Sequence, residues 1–198
     1  MLRYYYNCKG FAGKQKYECY GVIMDMIDLT LKDEEWPFTF TDHERLIARA
    51  VLFDDRGYFY FCRIERNDEF GNGCFIETSG GGVEMGETLI DALQRELKEE
   101  LGAEVEVLEE IGIVRDYYNL IHRRNINHYF LCRLLSFGQT DRRRDEIEDL
   151  HLSALKVTYD EAVSEYQRCR SMKLGRLLAA RELPILADAM KIIKERQL

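Results

Sequence analysis

Residues 80 to 102 constrain this chain more than any other stretch. Three consecutive glycines, Gly80, Gly81 and Gly82, precede Val83-Glu84-Met85-Gly86-Glu87-Thr88, and a run with helical periodicity follows. Glycines allow a close backbone approach that any Cβ would block. Thr88 is a helix-capping residue type, and Gly102 can end a helix in a left-handed turn. Leu89, Leu93, Leu97 and Leu101 recur every four residues and form a stripe that must be buried. Glu96, Glu99 and Glu100 fall on one face of the last two turns, where each like-charged pair costs a few tenths of a kcal/mol. Lys98 points elsewhere, while Arg95 stands one turn before Glu99 and can orient it. A solvated Glu-rich helix after a flexible loop would account for the carboxylates alone. Hard cations bound to the cluster would account for the crowding as well, since Mg2+ takes oxygen ligands and keeps substrate phosphates in its shell.

The spacing decides between these readings. Gly81, Glu87, Arg95, Glu96, Leu97, Glu99, Glu100 and Gly102 stand at the intervals of the Nudix box, which this stretch resembles at every charged and glycine position. The resemblance extends over about residues 41–160. It implies an α/β (α+β) chain with the Nudix fold, a mixed β-sheet sandwiched between helices. It also implies hydrolysis of the diphosphate linkage of a nucleoside diphosphate derivative, with Mg2+ or Mn2+ as cofactor. Carried over by position, Glu99 and Glu100 are core metal ligands and Glu96 is a further ligand or the general base. The carbonyl of Gly81 joins the metal shell, and Arg95 and Glu87 orient the helix carboxylates. Many members carry a further acid on a later loop. Glu146 and Glu148 lie in that region, each as readily a ligand or base as part of a solvated acidic loop. Two positions depart from the pattern. Ser79 stands where proline is common, with only a local backbone effect expected, and Ala103 stands where a bulky aliphatic is usual.

Outside the box the chain is ordinary in composition, with 46% hydrophobic and 32% charged residues, and 198 residues suffice to close a sizeable core. No apolar run approaches the roughly 18 residues needed to span a bilayer. The start, Met1 to Tyr6, has no apolar core of a signal peptide, so the cytoplasm is the default location and no membrane partner is expected. The net charge of -8 argues against nucleic acid as a partner. It also poses a problem for an enzyme acting on polyanions, which bound metals resolve. Basic help would come from Arg63 and Arg66, which follow a hairpin strand, although exposed arginines more commonly serve solubility. Cys8, Cys19, Cys62, Cys74, Cys132 and Cys169 form no CxxC pair, so buried free thiols are expected rather than a zinc site. None of the four histidines has metal-ligand spacing.

The sequence reads as a single domain with three textures: a β-rich extension over residues 1–40, a core over 41–160 and a helical segment over 161–198. In the extension, Arg3–Asn7 and Lys16–Asp28 read as strands around a loop at Gly10–Gly13. The resemblance implies that such an extension completes a substrate pocket or pairs two copies in a homodimer. Tyr4, Tyr5 and Tyr6 read as core more readily than as a base-stacking platform. Asp54-Asp55-Arg56-Gly57 separates Leu46–Phe53 from Tyr58–Ile64 as a hairpin turn. Glu104–Val114 and Asn127–Leu135 are further strands. Thr158 and Glu161 fit a capping box for a helix to about Arg170. Lys173–Leu183 and Ile185–Arg196 read as helices on either side of Pro184, at the first turn of the second. An alternative function is a catalytically inactive Nudix-fold nucleotide sensor, for which an eroded box is expected. The box here is intact.

Overall fold

A computed structural model describes the backbone of residues 10–11, 14–19, 22–139 and 152–198, with side chains from residue 26 onward. The strands are β1 (Gly10–Phe11), β2 (Lys14–Cys19), β3 (Val22–Leu31), β4 (His43–Phe53), β5 (Phe59–Asp68), β6 (Gly71–Glu77), β7 (Gly80–Gly82), β8 (Ala103–Tyr118), β9 (Arg123–Phe137) and β10 (Ser153–Val157). The helices are α1 (Leu89–Leu101), α2 (Tyr159–Cys169) and α3 (Lys173–Arg196). All ten strands belong to one sheet, with the path β1-β2-β3-β8-β9-β4-β5-β10, β6 pairing with β5 and β7 with β4. The β3–β8 and β4–β9 pairs are parallel and the others antiparallel, so the sheet is mixed.

Strand alternation divides the core between the two faces. Along β4 and β5, Ala48, Ala50, Leu52, Tyr60, Cys62 and Ile64 face α1, where Leu93, Leu97 and Leu101 close a cluster. Val51, Phe53, Phe59 and Phe61 face the other way, against Tyr166 of α2 and Ile185, Leu186 and Ala189 of α3. This is the helix–sheet–helix sandwich of the expected fold. The hairpin turn forms as expected: Asp54 Oδ1 accepts from the N–H groups of Arg56 and Tyr58, and Gly57 adopts φ +80°. The expected cap of α2 also forms, Thr158 accepting from Glu161 N and Glu161 from Thr158 N.

Several expectations need correction. The run Lys16–Asp28 is two antiparallel strands, since Cys19 pairs with Val22, and Gly10–Phe11 pairs with β2 where a loop was expected. Arg3–Asn7 and the three tyrosines lie outside the described residues. Gly80–Gly82 is a strand rather than a loop, in register with Arg49, Ala48 and Ile47 of β4. Pro184 sits inside one continuous 24-residue helix. An internal proline costs a helix about 3 kcal/mol, but Leu178 before it and Ile185 and Leu186 after it are all buried against the sheet, and that burial holds both halves in line. The strands β8 and β9 also outrun the expected Glu104–Val114 and Asn127–Leu135. Among the described residues, no helix is long and apolar enough to cross a membrane.

Candidate active site

Helix α1 carries the site. Its first turn is fixed by a capping box in which Thr88 Oγ1 accepts from Asp91 N and Asp91 accepts from Thr88 N, each at 3.1 Å. Its end is set by Gly102 in the left-handed conformation, φ 65°. With the leucine stripe buried, the helix has one rotation about its axis, and that rotation turns Glu96 and Glu100 toward the glycine strand. A Cβ on Gly81 would stand 2.1 Å from a Glu96 carboxylate oxygen, so glycine is required there for Glu96 to lie against the strand. On the opposite face, a Cβ on Gly82 would meet the Arg45 guanidinium at 2.6 Å.

Arg95 gathers the acids. Its Nε and Nη2 donate to the two Glu87 oxygens at 2.8 and 3.0 Å, a bidentate fork. Nη1 donates to Glu96 at 2.8 Å and reaches Glu99 at 3.4 Å, and Nη2 also donates to the carbonyl of Gly82 at 3.0 Å. The Glu87 hydrogen bond is the main cause of a raised Arg95 pKa, so this cation stays charged against its partial burial. Glu87 in turn accepts from Glu84 N, which anchors the loop ahead of the helix.

Glu100 turns inward. One oxygen accepts from Ser79 Oγ at 2.6 Å, Gly80 N at 3.0 Å and Cys62 Sγ at 3.2 Å. Burial pushes its carboxyl up to about 7, over the opposing pull of the Ser79 and Cys62 hydrogen bonds, and the charge of Glu96 adds to the rise. The hydroxyl of Ser79 is therefore part of the carboxylate's environment, where only a local backbone effect was expected from that departure. Sequence reasoning missed both Ser79 and Cys62 as partners of Glu100.

The structure thus brings Gly81, Glu87, Arg95, Glu96, Glu99 and Glu100 together around the start of β7 and the last turns of α1. It does not place Arg63 with them: Arg63 donates to Cys74 Sγ at 3.0 Å and lines an open groove with Leu155 of β10 and Asp160, Ser164 and Arg168. Arg66 pairs with Asp68 at 2.8 Å and lies over the Phe70 ring. Glu146 and Glu148 lie outside the described residues. The described cysteines, Cys62, Cys74, Cys132 and Cys169, are free thiols. His128 pairs with Glu110, and His122 stacks on Phe40.

Among the described residues, no three acidic, histidine or cysteine side chains converge at metal-ligand spacing. The donor set nevertheless suits a hard divalent cation. Its donors are carboxylate oxygens beside a strand with no Cβ, and the burial and Glu96 charge that oppose ionisation of Glu100 are costs a bound cation would offset.

A mixed sheet between helices, with a glycine strand facing a carboxylate-bearing helix, defines a Nudix-type domain. The NUDIX domain model matches residues 43–170, and the chain belongs to the NUDIX family. Over 68 residues it is 40% identical to nucleoside triphosphatase NudI of Salmonella agona (strain SL483), a match covering 34% of this chain and 46% of that protein. The match spans about half the length of that curated relative. The MutT protein of Methanosarcina mazei Go1 shares the fold at 17% identity and TM-score 0.55, over 79% of this chain and 99% of that one. A NUDIX hydrolase of Nitrosomonas europaea does so at 19% identity and TM-score 0.51, over 62% of this chain and 78% of that one.

Proposed function

We propose that the protein is a Mg2+- or Mn2+-dependent pyrophosphohydrolase that cleaves the diphosphate linkage of a small nucleoside diphosphate derivative. The observation that carries this is the glycine–carboxylate arrangement itself: Glu96 lies against Gly81 while Arg95 ties Glu87, Glu96 and Glu99 into one unit. Glu99 and Glu100 would hold the metal with the Gly81 carbonyl, and Glu96 would be a further ligand or the base. A bound divalent cation supplies Lewis-acid activation of water and offsets the charge of the diphosphate. In the hydrolysis, a water oxygen bonds to one phosphorus, the bridging P–O bond breaks, and the departing phosphate carries off the electron pair. A carboxylate of the cluster takes the water's proton. Arg95 acts indirectly, by keeping the carboxylates aimed.

ADP-ribose, nucleotide sugars and canonical or modified nucleoside triphosphates all carry the required linkage. The resemblance to a nucleoside triphosphatase adds weight to the last group. We also read the chain as one domain, with residues 1–40 as an extension of the 41–160 core and 161–198 as its helical closure. A homodimer paired through that extension, as the resemblance implies, belongs to the same reading. Purified protein with Mg2+ is to be screened against these compounds, with products followed by phosphorus NMR. Release of a nucleoside monophosphate with its partner phosphate, abolished by a chelator, supports the proposal. Silence across the panel together with tight nucleotide binding would overturn it in favour of a sensor.

A further inference from the structure

A buried polar cluster lies on the sheet face opposite α1. Arg181 of α3, only 1% exposed, pairs with Glu182 at 2.8 Å, Glu77 at 3.1 Å and Asp116 at 3.3 Å, and donates to Tyr118 Oη at 3.0 Å. Arg49 of β4 reaches Glu77 at 3.5 Å and Asn127 at 3.0 Å. Burying so many charges is a poor way to fasten a helix, since apolar side chains of the same volume do it at least as well. Fixed geometry is what such a network can supply.

That geometry reaches the α1 face through two consecutive residues. Thr78 Oγ1 donates to the Glu182 carboxylate at 3.1 Å, and the Thr78 carbonyl accepts from Arg49 at 3.0 Å. The next residue, Ser79, points through to the other face and donates to Glu100 at 2.6 Å, while its carbonyl accepts from Ala50 N at 2.9 Å. The peptide between them is planar and rigid, so Ser79 and Gly80 follow any displacement of Thr78. We propose that Thr78 is a positioning residue: Glu182 and Arg49 hold it on one face so that Ser79 and Gly80 present their donors to Glu100 on the other. This rests on the proposed place of Glu100 in the metal-binding set.

The test compares Thr78→Val, which removes the hydroxyl at nearly constant volume, with Thr78→Ser, which keeps it. Each variant is assayed for kcat, KM, Tm and the dissociation constant of Mn2+ measured by electron paramagnetic resonance of the free ion. Thr78→Val should lower kcat about tenfold with KM within about twofold, and Thr78→Ser should recover most of that loss. Mn2+ binding should weaken in Thr78→Val and not in Thr78→Ser. Tyr129→Phe removes a 3.2 Å bond to the same Glu182 carboxylate without touching Thr78, and should lower Tm while sparing kcat. Thr78→Ala removes the same hydroxyl without setting a methyl group against the Glu182 carboxylate, so it should change kcat in the same direction even if Thr78→Val fails to fold. Wild-type kcat and Mn2+ affinity in Thr78→Val, or a loss in Tyr129→Phe as large as its own, would overturn the assignment. Activity in Glu99→Gln would instead refute the proposed site, whatever Thr78 does.

Discussion

Replacing Glu100 with glutamine should change how the stability of the metal-free protein depends on pH. The folded protein holds this carboxyl at about 7 against an ordinary 4.5, chiefly because it is buried. A raised pKa means that the folded state binds the proton more tightly than the unfolded chain does. Its contribution is therefore fully present below pH 4.5 and is lost as pH rises through about 7. At about 1.4 kcal/mol per pH unit, the interval is worth about 3 kcal/mol. For a chain of this length that corresponds to a Tm change of roughly 6–12 °C. The assay is thermal unfolding by circular dichroism in a chelator between pH 4.5 and 8, for wild type and Glu100→Gln in parallel. Glutamine keeps the volume and cannot ionise, and its altered bonds to Ser79, Gly80 and Cys62 shift Tm alike at every pH. Wild type should lose stability relative to the variant across this window, and excess Mg2+ should reduce that loss by favouring the carboxylate. Parallel curves in the absence of metal would refute the assignment of a buried, proton-retaining Glu100.

Three further outcomes follow from the same geometry. Arg95→Gln removes the cation shared by Glu87, Glu96 and Glu99 in a partly buried setting, so it should cost about 3 kcal/mol in chemical denaturation as well as most activity. Gly81→Ala would put a methyl group 2.1 Å from the Glu96 carboxylate, and steady-state kinetics should show kcat down by about 100-fold in a protein with unchanged circular dichroism. Arg63→Ala should leave kcat/KM within about twofold, because its groove is formed with α2 and β10 rather than with the box helix.

The box was legible because its information is local. Cap, leucine stripe, carboxylate face and terminal glycine all lie within one helix, where spacing alone fixes which residues meet. The alternation of β4 and β5 and the turn at Asp54 were legible for the same reason. What escaped depends on contacts between distant segments. Cys62 reaches Glu100 across 38 positions, and nothing near either residue signals the pairing. The strand β8 runs past Val114 through Arg115 and Asp116, charged residues that do not read locally as core, and Asp116 is buried by its pairing with Arg181. The continuity of α3 through Pro184 likewise depends on the sheet beneath it. Three glycines read locally as a loop become a strand because β4 supplies register, its backbone at Ala48 and Arg49 takes the Cβ space of Gly80, and the Glu96 and Arg45 side chains take that of Gly81 and Gly82.

We propose that the α1 carboxylates perform metal-assisted cleavage of a diphosphate. This is tested most directly by measuring turnover of Glu99→Gln with Mg2+ on the best compound of the panel, alongside its Tm. Glu99 is tied to Arg95 through a 3.4 Å contact, and glutamine is nearly isosteric, so folding should be little affected. A fall in kcat of about 100-fold or more is expected, with Tm within a few degrees of wild type. Wild-type turnover by a folded Glu99→Gln protein would contradict the proposal.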